Sequence, residues 1–238
     1  MGIKEQSDMK NLQKAGGVAA LVAAGTYLFA MVLLVTVLAP LEDSTLGFAE
    51  YIAFLSVHQT FAFAWDFIPY ILNGVCLALL ALALYERMKA AAPRLATVAT
   101  TFGFIWVTLV FLSGFIAING NNTLLSLAAT NPAQAETLRL TLDTVTAGID
   151  SSDKILGCLW VGLMSLAGFR TGALCKSLSI LGMAIGSLGL AGSAVPALAA
   201  VSYAFGVGVI AWWIGLGIYL LRGRNAIATT NDIEGVSL

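Results

Sequence analysis

Charged residues are scarce in this sequence. Of its 238 residues 11% are charged and 59% are hydrophobic, whereas soluble domains carry about a quarter charged residues. Water is therefore not the main solvent of the folded chain. The formal net charge is −1, which excludes the strongly basic surface that nucleic acid requires. The composition indicates a membrane protein without a nucleic-acid partner.

Residues that build metal and catalytic centres are also scarce. The chain has one histidine, His58, and its three cysteines, Cys76, Cys158 and Cys175, fall within or at the end of apolar runs. Such positions are typical of small apolar packing residues and not of a disulfide framework. One histidine and three scattered cysteines cannot supply a tetrahedral metal set, and no phosphate-binding loop or dinucleotide fingerprint is present. We expect no metal, no cofactor and no catalytic residue.

Long apolar runs dominate what is there. A membrane-spanning helix needs about 20 apolar residues to cross a hydrocarbon core of about 30 Å. The runs cover residues 15–39, 62–85, 95–118, 155–172, 178–195 and 199–221. They predict an all-α polytopic membrane protein, in which six transmembrane helices form a bundle over residues 15–222. Residues 1–14 are predicted to be a cytoplasmic segment and residues 223–238 a disordered cytoplasmic tail.

Positive charge alternates along the chain. Ten of the twelve Lys and Arg residues lie in every second polar stretch. These are Lys4, Lys10 and Lys14; Arg87, Lys89 and Arg94; Arg170 and Lys176; and Arg222 and Arg224. Because basic loops are retained on the cytoplasmic side, the alternation predicts six crossings with both termini cytoplasmic.

Two of the predicted outer segments are too long to be simple turns. Residues 44–61 have apolar side chains at helical spacing, and residues 131–148 begin with a helix start signal, Asn131 followed by Pro132 and Gln134. Gly148 is a plausible stop, and Asp150 stands where it could cap the fourth span. We predict two short amphipathic helices on the outer face, which form a cap from residues 44–61 and 123–150.

Small residues recur at close spacing in the fifth run, at Gly182, Gly186, Gly189 and Ser193. Small residues at this interval allow helix backbones to approach closely in a membrane. They predict either close packing within one chain or a homodimer seam. The residues 192–196 are predicted to form a short turn before the sixth run.

One carboxylate, Asp66, lies inside an apolar run, directly after Trp65. A carboxylate at membrane depth is costly unless it is paired, protonated or facing water. Residues three or four apart share a helix face, so Asp66 aligns with Tyr70 and Asn73. On the outer side, the same face continues to His58. The candidate ligand-binding site consists of Asp66, Tyr70, Asn73, His58, Trp65, Asn119 and Lys154.

Two interpretations of Asp66 stay open. It either belongs to a ligand-binding or proton-accepting pocket, or it is a structural tie to another helix, with Lys154 as the natural partner. Pro69, in the same turn, frees the carbonyl of Trp65. Asn119 begins a cluster of three asparagines and a glycine, residues 119–122, which is typical of turns and caps. The tryptophans of the other runs are interpreted as core packing or as lipid-facing anchors.

Residues 65–89, WDFIPYILNGVCLALLALALYERMK, resemble a widespread bacterial family of small polytopic membrane proteins catalogued as a domain of unknown function. FGFIWVTLVFLSGFIAI in the third run carries the same resemblance, as do LWVGLMSLAGFRTGAL and WWIGLGIYLLR nearer the C-terminus. The resemblance implies an all-helical fold in the bacterial cytoplasmic (inner) membrane. It supplies no catalytic residue.

Three functions fit these observations. The first is a non-enzymatic binding or accessory protein with an outward pocket for a small amphipathic molecule, a lipid or a partner helix. The second is a small transporter or channel subunit that works as an oligomer, with Asp66 protonated during its cycle and a water path past Asn73. The third is a membrane enzyme, which needs a second ionisable group such as Lys154 or Asp150 within about 3 Å of Asp66. The expected partners are membrane lipids and a second copy of the chain or another membrane protein.

Overall fold

The computed structural model describes residues 3–43, 45–195 and 199–222, and this part of the chain is built from α-helices. Eight α-helices follow one another there: α1 (Ile3–Leu33), α2 (Phe48–Val57), α3 (Gln59–Asp66), α4 (Asn73–Met88), α5 (Pro93–Ala128), α6 (Pro132–Thr171), α7 (Lys176–Ala194) and α8 (Ala199–Leu221). A π-helical turn and a 3₁₀ turn, Leu34–Leu38 and Ala39–Glu42, prolong α1. A second π-helical turn, Phe67–Leu72, joins α3 to α4. The predicted tail lies outside the described residues, and most of the predicted N-terminal segment is the start of α1.

The six long helices pack in a closed ring. Each of α4, α5, α6, α7 and α8 lies against the long helix that precedes it in the chain, and α8 returns to contact α1. The short helices α2 and α3 lie at one end of this ring, beside the ends of α1 and α5. The predicted helical bundle is confirmed.

Five helical segments are long and apolar enough to cross a bilayer: Ser7–Leu41, Gln59–Met88, Pro93–Ala128, Pro132–Thr171 and Lys176–Ala194. They correspond to the first five predicted spans. The sixth predicted span corresponds to α8, which is apolar over Phe205–Leu221, the part whose side chains are described.

Four tryptophans fill the centre of the ring. Trp106 of α5 lies 5.6 Å from Trp160 of α6, and Trp160 lies edge-on to Trp212 of α8 at 5.7 Å, measured between ring centroids. Trp213 stacks on Trp106. All four are at most 1% exposed. They are core packing residues, which decides between the two interpretations made from the sequence.

Helices α5 and α6 are much longer than the predicted spans. They contain 36 and 40 residues, or about 54 and 60 Å at 1.5 Å per residue, so both extend well beyond a hydrocarbon core. The prediction of a separate helix that ends at Gly148 is wrong, because α6 continues through this glycine and packs along α5. Asp150 lies inside α6 and does not cap a new helix. The cluster at 119–122 lies inside α5 and not in a turn.

The predicted cap has its own small core. Leu55 of α2, Ala62 of α3, Leu124 of α5 and Ala135 of α6 are buried together. The start of α6 is also as predicted: the Asn131 side chain accepts a hydrogen bond from the Gln134 backbone amide at 3.3 Å, with Pro132 at the first helical position. The cap therefore consists of two short helices, α2 and α3, on the ends of the long helices α5 and α6.

The glycines of α7 face α6. A Cβ atom at Gly186 would lie 2.8 Å from the Cys158 carbonyl oxygen and 3.0 Å from the Gly162 Cα atom. Gly182 and Gly189 face Ser165 and Cys158 in the same way. These small residues therefore serve close packing within one chain. Residues 192–194 belong to α7 and not to the predicted turn, and residues 196–198 lie outside the described part.

The predicted cytoplasmic segments meet at one end of the ring. Arg87, at the end of α4, donates hydrogen bonds to the Ala173 carbonyl oxygen at 2.8 Å, to Gln13 of α1 at 3.4 Å and to Tyr219 of α8 at 3.3 Å. Its guanidinium also lies over the Tyr219 ring, 5.1 Å from the centroid. Arg87 thus joins parts of the chain that the charge pattern assigned to the same side. The cap lies at the opposite end.

Candidate functional site

Asp66 is buried where the cap meets the ring. It is the last residue of α3 and is 5% exposed. Its Oδ2 atom accepts a hydrogen bond from the Nδ2 atom of Asn121 in α5 at 3.0 Å. The prediction that Lys154 pairs with Asp66 is wrong, because among the described residues the hydrogen bond to this carboxylate comes from Asn121.

A π-helical turn follows Asp66 directly. Pro69 lies inside this turn and cannot donate to the carbonyl of Trp65. At the end of this turn the backbone amide of Asn73 donates to the carbonyl of Ile68, five residues earlier, which is the spacing of a π-helix. Gly114 of α5 lies against the same turn, where a Cβ atom would be 3.2 Å from the Asp66 carbonyl oxygen. The wide turn and this glycine bring α5 close to the end of α3, and Asn121 lies two turns further along the same helix.

Asp66 lines a cavity of about 310 Å³ between the end of α1, the cap and α5. Its small apolar and leucine lining residues are Leu34, Leu38, Leu41 and Ala62. Its polar and aromatic lining residues are Asp43, Tyr51, Trp65, Asp66, Asn121, Arg139 and Asp143. The two π-helical turns lie at its edges, since Leu34 and Leu38 bound one of them and Asp66 precedes the other. Single π-helical turns occur frequently at functional sites.

Arg139 of α6 is the cation of this cavity. Its Cζ atom lies 3.5 Å from the centroid of the Tyr51 ring, and its Nε atom lies 3.8 Å from Oδ2 of Asp143, one turn along α6. A smaller cavity of about 160 Å³ adjoins the first and shares Tyr51, Asn121, Arg139 and Asp143 with it. Arg139 therefore lies at the boundary between the two cavities and joins α2 to α6.

Asp43 lies at the rim, beyond the end of the first apolar segment. Its Oδ1 atom accepts hydrogen bonds from the backbone amide of Thr45 at 2.9 Å and from the Thr45 hydroxyl at 2.7 Å. These hydrogen bonds lower the pKa of the Asp43 carboxyl below its usual range, since they favour the charged form. The rim of the cavity thus carries a carboxylate that stays ionised.

Two of the predicted site residues, Asp66 and Trp65, line the cavity. His58 does not: it stacks on Phe54 at 4.1 Å between ring centroids, at the break between α2 and α3. Asn119 does not either, because it is exposed and donates to the Phe115 carbonyl oxygen of its own helix at 2.8 Å.

The remaining predicted residues lie elsewhere. Tyr70 is half-buried against the core of the ring, and Asn73 is 0% exposed below the cavity. Lys154 is an exposed residue of α6 whose charge acts on Asp150 and Asp153. The predicted polar stripe from Asp66 to Asn73 therefore leaves the cavity after its first residue and continues into the packed interior.

Sequence reasoning missed most of the polar lining residues. Asn121 belongs to the cluster that was interpreted as turns and caps, and Arg139 is one of two basic residues in the predicted outer segments. No sequence pattern marks Tyr51 or Asp143 as a site residue, because each reaches the cavity only through tertiary packing. The unusual position of Arg139 outside the basic segments was the one available indication.

The chemistry that the site could support follows from the groups it brings together. The described partners of Asp66 do not include a second ionisable group in hydrogen-bond contact, which acid–base catalysis would need. In residues 3–43, 45–195 and 199–222, no three His, Cys, Asp or Glu side chains come together as a metal site. The site instead joins a buried carboxylate and an amide to a lining of leucines, an arrangement suited to holding a molecule with one polar and one apolar end.

Comparisons with known proteins do not assign this site to a family or a function. The resemblance to a bacterial membrane family stays a prediction, and the function has to be argued from the site. No protein-family model, no curated protein and no solved structure matches this chain.

Proposed function

We propose that this chain is a six-span protein of the bacterial cytoplasmic membrane, with both termini in the cytoplasm, and that it binds a small amphipathic molecule in its outward-facing cavity. One observation carries the proposal. Asp66 is 5% exposed, and it lines a cavity that Leu34, Leu38 and Leu41 also line. A buried carboxylate is retained at such a depth when it has a task there.

The charge distribution supports the orientation. Arg87, Lys89 and Arg94 lie where α4 ends and α5 begins, and Arg170 and Lys176 lie where α6 ends and α7 begins, at the end of the ring opposite the cavity. Basic loops remain in the cytoplasm. The cavity then opens at the outer face, near the level of the lipid headgroups.

The dimensions favour a small ligand. A cavity of about 310 Å³ is at the lower end of the range of roughly 300–1,000 Å³ that is usual for ligand pockets. A whole phospholipid would exceed it, whereas a single short chain with a polar head would fit. The cavity adjoins α3 and the π-helical turns that follow α1 and α3, and these segments carry exposed apolar side chains such as Val35, Phe63 and Phe67. A ligand dissolved in the membrane can therefore approach from the lipid.

The packing below the cavity favours binding over transport. Asn73 is 0% exposed, and Leu77, Leu80 and Leu84 of α4 follow it at 0–1% exposed. A transporter would need water past Asn73, and an interior closed by leucines offers none in this conformation.

The binding proposal can be tested by filling the cavity. The full chain would be purified in a mild detergent and examined by native mass spectrometry for retained small molecules. The variant Leu41→Trp places an indole in the apolar lining, while Val57→Trp, at a side chain 78% exposed, is the matched control. We expect one small molecule per chain in the wild type and the control and a loss from Leu41→Trp. Equal retention by all three, or none by any, would contradict the proposal.

The orientation is tested separately. In a Cys175→Ser background, in which the remaining Cys76 and Cys158 are buried, one cysteine introduced at Glu136 in the cap or at Lys176, the first residue of α7, would be labelled with a membrane-impermeant maleimide. Both positions are exposed in this structure. We expect labelling of Glu136→Cys in intact spheroplasts and of Lys176→Cys after lysis. Labelling of both in intact spheroplasts would exclude the proposed topology.

A further inference from the structure

Acidic side chains outnumber basic ones in the lining of the larger cavity. Three carboxylates, Asp43, Asp66 and Asp143, face one guanidinium, Arg139. An anionic ligand would have to bind against the majority charge. The composition of the wall thus already favours a cation over an anion.

The single cation is engaged by residues of the protein itself. Arg139 lies within 3.8 Å of Asp143 and 3.5 Å from the centroid of Tyr51. An arginine over an aromatic face and beside a carboxylate has both of its preferred partners. Arg139 and Asp143 therefore largely cancel one another, and the acidic side chains left to face a ligand are Asp66 and Asp43.

Asp66 is only partly satisfied by the protein. Asn121 donates to Oδ2, and the hydrogen bonds described for Asp66 include none to Oδ1. An amide carries no positive charge that could compensate a carboxylate, and in this poorly solvated position the electrostatic attraction between Asp66 and a ligand cation is stronger than in water. A ligand cation that reaches Oδ1 would supply the missing hydrogen bond and the missing charge together.

The wall around Asp66 suits an ammonium group with an alkyl chain. Trp65 precedes Asp66 and lines the same cavity, and an indole face attracts a cation. The same cavity is lined by Leu34, Leu38 and Leu41, which belong to the π-helical and 3₁₀ turns at the end of α1. An alkyl chain on these leucines would be removed from water, which is favourable in proportion to the apolar area buried.

We infer that the ligand of this cavity is an amine-bearing amphiphile, whose ammonium group lies at Asp66 beside Trp65 and whose alkyl chain lies on the leucines of the α1 end. The inference rests on the proposed binding function and names its ligand class. Asp43 at the rim adds a second carboxylate on the path of the incoming cation.

The test uses three probes with the same alkyl chain, octylammonium, octanol and octanoate, below their micellar concentrations. The full chain would be held in nanodiscs of zwitterionic lipid, and affinity would be measured from the rise in melting temperature, because a ligand that binds the folded state stabilises it by mass action. We expect octylammonium to bind the wild type at least about 10-fold more tightly than octanol, which corresponds to about 1.4 kcal/mol. Octanoate is expected to bind most weakly.

The variants distinguish binding of the ammonium group at Asp66 from a general attraction of cations to a negatively charged protein surface. Asp66→Asn should reduce the preference for octylammonium over octanol to within about 2-fold, since a neutral amide keeps the shape and loses the charge. Glu136→Gln removes an exposed carboxylate of the cap that does not line the cavity, and it should keep the full preference. If Asp66→Asn does not fold, Asp43→Asn, at an exposed rim position, should reduce the preference by a smaller factor.

The outcomes distinguish the two proposals. Octanol or octanoate binding as tightly as octylammonium, with all binding lost in Leu41→Trp, would overturn the ligand class and leave the binding function intact. An ammonium preference that survives Asp66→Asn, or Asp43→Asn where the first does not fold, would also overturn the inference. Binding of all three probes that Leu41→Trp does not reduce would contradict the proposed function itself.

Discussion

Asn121 of α5 donates to Asp66 of α3, with 3.0 Å between Nδ2 and Oδ2. This hydrogen bond joins the last residue of a short cap helix to a long helix of the ring. The two residues are 55 positions apart in the chain. The bond holds the carboxylate through Oδ2, and both residues line the larger cavity, so the same contact serves both the stability of the cap and the shape of the site.

Removing this donor should weaken the protein. Asn121→Ala leaves a buried carboxylate without its described hydrogen bond, which should lower the free energy of unfolding by about 1–3 kcal/mol. The measurement is the midpoint of unfolding when dodecyl sulfate is titrated into mixed micelles. Asn119→Ala, at an exposed asparagine of the same helix, is the control and should change the value by less than about 0.5 kcal/mol. Equal effects of the two variants would mean that the contact to Asp66 contributes nothing.

Two glycines of α6 should respond to alanine in opposite directions. Gly148 lies inside α6, Gly172 ends it with φ of +69°, and a Cβ atom at either would meet nothing within 4 Å. Gly148→Ala should stabilise the helix by about 0.5–1 kcal/mol, and Gly172→Ala should destabilise it by about 1–2 kcal/mol because of its left-handed backbone. The same unfolding titration measures both. Destabilisation by Gly148→Ala would indicate that α6 is broken there, as the sequence alone predicted.

The contact between α6 and α7 can be tested at Gly186. A methyl group there would meet backbone atoms of Cys158 and Gly162, which cannot move aside as a side chain can. We expect Gly186→Ala to cost about 1–3 kcal/mol of stability. Gly206→Ala in α8, where a Cβ atom has open space, should be neutral or stabilising. Tolerance of alanine at Gly186 would show that the two helices are further apart than in this structure.

At the opposite end, Arg87 should not be replaceable by lysine. Its Nε atom and both terminal nitrogens donate to three different parts of the chain, and an ammonium group lacks this planar fork. Arg87→Lys should lower the free energy of unfolding by about 1–3 kcal/mol. The exposed Arg94 provides the control, since Arg94→Lys should stay within about 0.5 kcal/mol of the wild type. If both lysine variants unfold at the wild-type midpoint, the positive charge of Arg87 is sufficient for stability and its three hydrogen bonds contribute nothing.

The features that were predicted correctly are those that local chemistry determines. Asn131, Pro132 and Gln134 mark the start of α6 because a cap residue, a proline and the first free amides lie within four positions of one another. The apolar runs located the long helices, since hydrophobic length is readable without knowledge of the fold. The basic residues around Arg87 were also grouped correctly, because the charge pattern follows the parity of the helices.

The features that were missed depend on packing between distant segments. Gly148 was interpreted as a helix stop, whereas contacts along α5 keep α6 continuous through it. Lys154 and Asp66 are predicted from the sequence to lie at the same depth in the membrane, which favours a pair between them. A sequence pattern does not show which face of α6 Lys154 occupies, so this pairing could not be checked from the sequence. The contact between Arg139 and Tyr51, 88 positions apart in the sequence, leaves no periodic trace.

The positions of the five tryptophans give the protein a built-in reporter. Trp106, Trp160, Trp212 and Trp213 are enclosed in the ring, whereas Trp65 is half-buried and borders the cavity. A collisional quencher dissolved in the aqueous phase therefore meets one indole long before the other four. Occupancy of the cavity shields that indole, so the emission of the unmodified chain can follow ligand uptake in real time, without a label and at micromolar protein.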